Sequence, residues 1–119
     1  MKLDHVTILV SSLEHSMPFY DRLLSLLGCE KQRDHVWTDG AGFYLQFQQA
    51  AAGTRPYERY GPGMNHLGFG AASPEQVVEL RAAMLAAGFE VPAIQHLDGA
   101  TALFMKDPDG IPIEFFASA

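Results

Sequence analysis

The sequence predicts an α+β fold of two βαβββ modules in tandem, because one pattern of strand, helix and turn signals occurs twice along its 119 residues. Each copy opens with a strand-like run that has a histidine at its third position, "LDHVTILVSS" and "MNHLGFGAAS". Each continues with a helical pattern that stops at a glycine, and each ends with a glycine-containing turn between two strand-like runs. This repetition is the main indication of the fold.

The two helices are predicted from apolar residues at three- and four-residue spacing. The first pattern covers residues 12–28 and the second residues 73–88, and both begin with serine and end with glycine. Pro74 suits a first helical turn, because the N–H that proline lacks has no helical partner there. Pro18 interrupts the first pattern, so this helix could begin either near its serine or closer to Met17.

The strands that follow each helix are predicted from short apolar runs around a turn. The first copy reads "HVWT", turn "DGAG", "FYLQFQQ", and the second reads "TALFMK", turn "DPDG", "IPIEFF". Glycine supplies the positive φ that such reversals need. Because proline cannot donate to a sheet ladder, we expect the last strand to be exposed or irregular at Pro112.

The segment between the copies, "QAAAGTRPYERYGPG", is rich in Gly, Pro and Ala and predicts a linker. We therefore assign residues 1–49 to the first module, residues 50–63 to the linker and residues 64–119 to the second module. A chain of this length suits one compact domain or two very small half-domains.

Composition excludes several classes of partner. The net charge of −6 argues against a polyanion, so we expect no nucleic-acid partner. No run approaches the ~20 apolar residues of a membrane span, so we expect no membrane partner. The single cysteine, Cys29, cannot form an internal disulfide and fits a reducing compartment. We expect a cytoplasmic protein.

Four polar side chains are predicted to share one strand face at equivalent positions of the two copies: His5, Gln46, His66 and Glu114. A lone histidine is more often a buried residue bonded to backbone, and Gln46 and Glu114 could lie on a solvated face. Two neutral imidazoles and a carboxylate that converge on one face, however, make a good divalent-cation site with open coordination positions. Their joint occurrence favours a metal site.

The pieces "LDHVTILVSS", "FYDRLLSLLG", "NHLGFGA" and "DPDGIPIEFF" resemble the vicinal oxygen chelate superfamily, which includes glyoxalase I, extradiol dioxygenases, fosfomycin-resistance transferases and bleomycin-resistance proteins. The resemblance covers essentially the whole chain, and its most specific mark is the "DPDG" turn with Glu114 four residues after its glycine. It implies paired βαβββ modules whose mixed sheets form a cup around a metal ion, with the helices on the outer face, and it implies a homodimer.

The resemblance also implies roles for individual residues. His5, His66 and Glu114 match the ligands on the first, fifth and eighth strands, and Gln46 stands where glyoxalase I usually has a second glutamate. The ion would be divalent, with Zn, Ni, Mn, Fe and Co all suited to such ligands. Thr7 matches a threonine that lies beside the substrate in the transferases, and Glu114 is the remaining candidate for a general base.

Five further residues are candidates for the substrate pocket. Phe104 matches an aromatic residue that faces the site in several members of the superfamily. Trp37 and Tyr44 either line the pocket or belong to the core. Arg55 and Arg59, in the linker, either close over the cup and pair with an anionic substrate group or belong to a solvated loop.

The function expected from these features is that of a divalent-metal-dependent enzyme that chelates two neighbouring oxygens of a small substrate. Glyoxalase-like lyase or isomerase chemistry is the least contradicted reaction type. The alternatives are a dioxygenase and a metal-free protein that binds a small molecule or drug, as bleomycin-resistance proteins do. The fold alone does not distinguish these reactions.

Overall fold

The structure is a computed structural model that describes residues 1–119 and contains two helices and eight strands. The first copy of the motif comprises β1 (His5–Val10), α1 (Leu13–Leu26), β2 (Glu30–Arg33), β3 (Val36–Thr38) and β4 (Tyr44–Gln49). The second comprises β5 (Leu67–Gly70), α2 (Pro74–Ala86), β6 (Gln95–Leu97), β7 (Ala100–Lys106) and β8 (Pro112–Ala117). The predicted tandem βαβββ order is confirmed.

Each copy forms its own four-stranded mixed sheet, in the orders β1-β4-β3-β2 and β5-β8-β7-β6. The first and last strands of each motif pair in parallel, whereas the other neighbours are antiparallel. The chain divides into two compact units, residues 1–56 and residues 57–119, called here the first and second unit. Their boundary falls inside the segment predicted as a linker.

Each sheet packs one apolar face against its helix. In the first unit the ring of Tyr20 in α1 lies 4.2 Å from the ring of Phe47 in β4, and both residues are buried. In the second unit α2 packs against β7 and β8, with Ile113 and Phe115 of β8 fully or almost fully buried. Because strand side chains alternate, Glu114 lies on the other face, away from α2.

Serine caps fix the starts of both helices. Ser12 Oγ accepts a hydrogen bond from the backbone N–H of His15, and Ser73 Oγ accepts one from Gln76, each at 3.2 Å. The first helix therefore begins directly after its serine, and Pro18 lies inside it with its ring exposed. Neither helix has the length and apolar character that a membrane crossing requires.

The expectation for Pro112 is wrong. This residue is buried and pairs with Lys106 in a β7–β8 register that continues without interruption. It is the first residue of β8, and the parallel pairing with β5 begins one position later, at Ile113. A proline at the start of a strand leaves the rest of the ladder intact, which explains why it is tolerated here.

Two aspartates at equivalent positions close the hairpin turns. Asp107 Oδ1 accepts hydrogen bonds from the backbone N–H groups of Asp109 and Ile111, at 2.9 and 2.8 Å.

In the first unit, Asp39 Oδ1 accepts hydrogen bonds from the backbone N–H groups of Ala41, at 2.7 Å, and Phe43, at 3.1 Å. These hydrogen bonds hold the pKa of Asp39 below its ordinary value of 3.8.

Leu23 and Leu26 in α1 provide a matched test of the helix–sheet core. Leu23 is 0% exposed and Leu26 is 41% exposed. Leu23→Ala should lower the free energy of unfolding by about 2–5 kcal/mol, because it removes buried contacts and leaves a cavity. Leu26→Ala should change it by about 0.5 kcal/mol or less. Urea denaturation measures both, and equal losses would contradict the packing of α1.

The Asp39 turn predicts a specific pH dependence. Because folding lowers the pKa of this carboxyl, its stabilising contribution is present above pH 3.8 and is lost as the pH falls through the lower, folded-state pKa. Asp39→Asn should therefore be less stable than the parent protein at neutral pH, and this difference should shrink in acid. Urea denaturation across that pH range measures it, and a constant difference would refute the contribution.

Candidate functional site

The register of the first sheet brings four predicted site residues onto one face. His5 stands opposite Tyr44 in the β1–β4 ladder, and Thr7 stands opposite Gln46. Directly opposed residues point to the same side of a sheet, so all four side chains share the face away from Leu45. Gln46 is half-buried and Thr7 and His5 are exposed, which leaves these polar groups accessible from that face.

Trp37 lies on the opposite face of the same sheet. It pairs with Leu45 in the β3–β4 ladder and is 6% exposed. Its indole Nε1 is buried and has no hydrogen-bond partner. Of the two alternatives left open by the sequence, the register supports a core position for Trp37, whereas Tyr44 stands on the candidate face.

The second unit brings two of the predicted ligands into direct contact. His66 Nε2 lies 3.1 Å from Glu114 Oε2, with the two side chains 39% and 21% exposed. Glu114 stands opposite Gly68 in β5 and opposite Phe104 in β7, so Phe104 shares its face. His66 itself directly precedes β5, which corrects its predicted position within the strand.

The two registers are equivalent. In the first unit Thr7, two positions after the histidine, pairs with Gln46. In the second unit Gly68, two positions after the histidine, pairs with Glu114. Gln46 and Glu114 therefore occupy the same position relative to the histidine of their own motif. At the position of Thr7 the second unit has glycine, and a Cβ built there would meet nothing within 4 Å.

A residue beside each histidine takes part in the site and was not predicted from the sequence. The ring Nδ1 of His5 lies 2.8 Å from Asp4 Oδ2, and the ring Nδ1 of His66 lies 2.8 Å from Asn65 Oδ1. In both units the preceding side chain occupies Nδ1, and at His66 the remaining nitrogen faces Glu114. The repeated Asx-His dipeptides in "LDHV" and "MNHL" are the sequence signal that could have identified them.

The contact between His66 and Glu114 suits metal binding. Ligand distances of about 2.0–2.2 Å place adjacent donors about 2.9 Å apart at a right angle and about 3.4 Å apart at a tetrahedral angle. The observed 3.1 Å lies between these values. No group of three or more His, Cys, Asp and Glu side chains in the chain is spaced to hold a metal ion. The assignment of His5 and Gln46 to the same ion stays a prediction.

The two linker arginines differ in their surroundings. Arg55 is exposed at the end of the first unit. Arg59 is half-buried in the second unit, where its guanidinium lies 5.3 Å from the centre of the Tyr60 ring. The backbone carbonyl of Arg59 accepts a hydrogen bond from Asn65 Nδ2. Arg59 is thus joined to the segment that carries His66.

The surroundings of Cys29 disfavour its thiolate form. Burial raises the pKa of its thiol, and the negative charge of Asp39 raises it further. Reactive cysteines have the opposite environment, in which nearby positive charge lowers the pKa and stabilises the thiolate. The predicted site residues offer imidazole, amide, hydroxyl and carboxylate groups instead.

Comparisons with known proteins agree with this architecture. The family model of the Glyoxalase/Bleomycin resistance protein/Dioxygenase superfamily matches residues 2–115. The uncharacterized protein YqjT of Bacillus subtilis (strain 168) is 32% identical over 127 aligned residues, with 97% of this chain and 98% of that protein covered.

Solved structures give the same result. A protein of Bacillus halodurans that was solved as a candidate glyoxalase is 32% identical at a TM-score of 0.83, with 97% of this chain and 94% of that chain covered. A glyoxalase/bleomycin resistance protein from Albidiferax ferrireducens T118 is 26% identical at a TM-score of 0.73, with 98% of each chain covered. A glyoxylase/bleomycin resistance protein/dioxygenase domain from Frankia sp. EAN1pec is 22% identical at a TM-score of 0.78, with 100% of this chain and 93% of that chain covered, and shares the fold.

Proposed function

Because the chain belongs to the Glyoxalase/Bleomycin resistance protein/Dioxygenase superfamily, we propose that it is a divalent-metal-dependent enzyme that binds two neighbouring oxygens of a small substrate. Glyoxalase-like lyase or isomerase chemistry is the proposed reaction type. The observation that carries the proposal is the 3.1 Å contact between His66 Nε2 and Glu114 Oε2 on an accessible sheet face.

This contact needs a positive charge between its two atoms. The side-chain oxygen of Asn65 contacts Nδ1 of His66, so Nδ1 carries the hydrogen of the neutral ring. Nε2 then presents its lone pair to an oxygen of Glu114. Two such electron-rich atoms repel each other unless a proton or a metal ion lies between them. The pair is partly exposed, so it contributes little to stability as an ion pair. A ligand role is therefore the better explanation for its placement.

The proposal assigns His66 and Glu114 to the metal directly. The resemblance to the superfamily adds His5 and Gln46 as further proposed ligands, and Gln46 holds the same register position in the first unit as Glu114 in the second. The oxygen of Gln46 can bind a metal but carries no charge, so the site would be one unit more positive than with a second glutamate. This difference favours substrates whose neighbouring oxygens are anionic or become so during the reaction.

When bound, the metal would act as a Lewis acid that polarises two neighbouring substrate oxygens. Glu114 is the one carboxylate among the four proposed ligands and is the candidate to accept a proton from the substrate. The hydroxyl of Thr7 can donate a hydrogen bond to a substrate oxygen, and the ring of Phe104 supplies an apolar wall that excludes water. Arg55 is the candidate partner for a distant anionic group of the substrate.

Metal content is the direct test of the proposal. Protein purified without chelator should contain a near-stoichiometric first-row metal by elemental analysis. His66→Ala and Glu114→Ala should each weaken metal binding by more than about 100-fold, because loss of a ligand exceeds the 10–100-fold typical of a supporting residue. His96→Ala, at an exposed position of β6 in the same unit, is the matched control and should leave the metal content unchanged.

Parent protein that binds none of Zn, Ni, Mn, Fe or Co on titration would overturn the metal-dependent assignment. Metal-free sequestration of a small molecule, as in bleomycin-resistance proteins, would then replace the metal-dependent assignment.

The same preparations give the oligomeric state by light scattering. The proposed homodimer predicts twice the mass of the 13.1 kDa chain.

Gly68 provides a test of the substrate space beside the metal ligands. It faces Glu114, its backbone does not require glycine, and a Cβ there would meet nothing within 4 Å. Gly68→Leu should therefore preserve melting temperature and metal content. It should weaken the binding of 4-nitrocatechol, a coloured probe with two neighbouring oxygens, to the metal-loaded protein by at least about tenfold.

Gly70→Leu is the control for this substitution, because it lies on the same face about 7 Å farther along the strand. A Cβ at Gly70 also meets nothing within 4 Å. Its effect on probe binding should be smaller than that of Gly68→Leu. Equal binding of the probe to the parent protein and to Gly68→Leu would place the substrate away from this part of the sheet.

A further inference from the structure

Each unit has an Asx residue directly before its histidine, with the side-chain oxygen 2.8 Å from the ring Nδ1. We infer that Asp4 and Asn65 are positioning residues that hold His5 and His66 as the Nδ1–H tautomer. In this tautomer Nε2 carries no hydrogen and can bind an electrophile. The hydrogen on each Nδ1 follows from the contacts alone, whereas its role in metal binding rests on the proposed function.

The orientation of the Asn65 amide follows from its second contact. Its Nδ2 lies 3.0 Å from the backbone carbonyl oxygen of Arg59, which can only accept a hydrogen bond. The atom facing that carbonyl must therefore be the amide nitrogen, so the amide oxygen faces His66. Because this oxygen also only accepts, the hydrogen in the contact must belong to Nδ1 of His66.

The backbone that carries Asn65 is itself held in place. The hydroxyl oxygen of Tyr57 lies 2.8 Å from the carbonyl oxygens of both Met64 and Asn65. The single hydroxyl hydrogen of Tyr57 can be donated to either carbonyl, so Tyr57 holds the backbone of the two residues before His66 in place. Tyr57, Arg59 and Asn65 thus form one hydrogen-bonded support behind the ring of His66.

Asp4 provides a weaker version of the same support. A carboxylate oxygen accepts hydrogen bonds, so the 2.8 Å contact also assigns the hydrogen to Nδ1 of His5. The two side chains are 68% and 53% exposed, however, and water competes for both partners. We therefore expect substitution of Asp4 to have a smaller effect than substitution of Asn65.

The tautomer matters because a metal binds only an imidazole nitrogen that carries no hydrogen. With Nδ1–H donated to Asn65, the free electron pair of the neutral His66 ring is on Nε2, the atom 3.1 Å from Glu114. Loss of the supporting group allows Nε2 to carry the hydrogen and the ring to turn. Removal of such supporting partners typically weakens metal binding by about 10–100-fold.

Nitrogen NMR of the metal-free, ¹⁵N-histidine-labelled protein tests the assignment. In alkaline buffer, where imidazole is neutral, both His5 and His66 should show the Nδ1–H tautomer. The exposed ring of His96 serves as the internal reference. Asn65→Ala and Asp4→Ala should shift their own histidine toward the Nε2–H form that predominates in unstructured peptides, and circular dichroism verifies that each variant is folded.

Exchanging the two Asx types separates positioning from general damage. Asp4→Asn and Asn65→Asp keep an acceptor beside Nδ1, so both should retain the Nδ1–H tautomer that the alanine variants lose. Titration with Co²⁺ should give a Kd about 10–100-fold weaker for Asn65→Ala than for the parent protein, with a smaller change for Asp4→Ala.

The outcomes distinguish the two proposals. An Nε2–H tautomer at His66 in the parent protein, or an unchanged tautomer in Asn65→Ala, would overturn the positioning role whatever the metal affinity. The expected tautomers in a parent protein that binds no Co²⁺ would support Asn65 and Asp4 as positioning residues and count against the metal-dependent function.

Discussion

The candidate site depends on the parallel pairing of the first and last strands within each motif. In the second unit this pairing sets Gly68 opposite Glu114, and the carboxylate then meets the imidazole of His66, which is remote in sequence. A shift of one residue would turn Glu114 toward the helix, where an unpaired carboxylate is costly to bury. The alternating apolar residues Ile113 and Phe115 prevent this shift, because they must stay beneath α2.

Much of the fold could be predicted because its signals are local and occur twice. Serine before and glycine after each helix, and the turn residues "DGAG" and "DPDG", gave the elements and their order. Side-chain alternation also predicted that His5 and Gln46 share a face, which the β1–β4 register confirms. Alternation is reliable here because these strands are regular and one face of each is occupied by the core.

The features that could not be predicted depend on contacts rather than on periodicity. Trp37 lies in a strand of three residues, too short for a pattern to indicate which face it takes. Pro112 is tolerated in β8 because the pairing with β5 begins only at the next residue, and that starting point is a property of two strands together. Asp4 and Asn65 were missed because alternation places neighbouring residues on opposite faces, whereas a short side chain beside a histidine can still reach its Nδ1.

The two units differ in where they place negative charge around an otherwise equivalent histidine. In the first unit the carboxylate of Asp4 contacts Nδ1 of the histidine. The residue that pairs with the strand position two after this histidine is the neutral Gln46. In the second unit the neutral Asn65 contacts Nδ1 of the histidine. The residue at the equivalent paired position is the carboxylate Glu114. A carboxylate at Nδ1 makes Nε2 a stronger electron donor, whereas a carboxylate at Nε2 can itself become a ligand. Each unit thus has one carboxylate in contact with its histidine, at Nδ1 in the first and at Nε2 in the second.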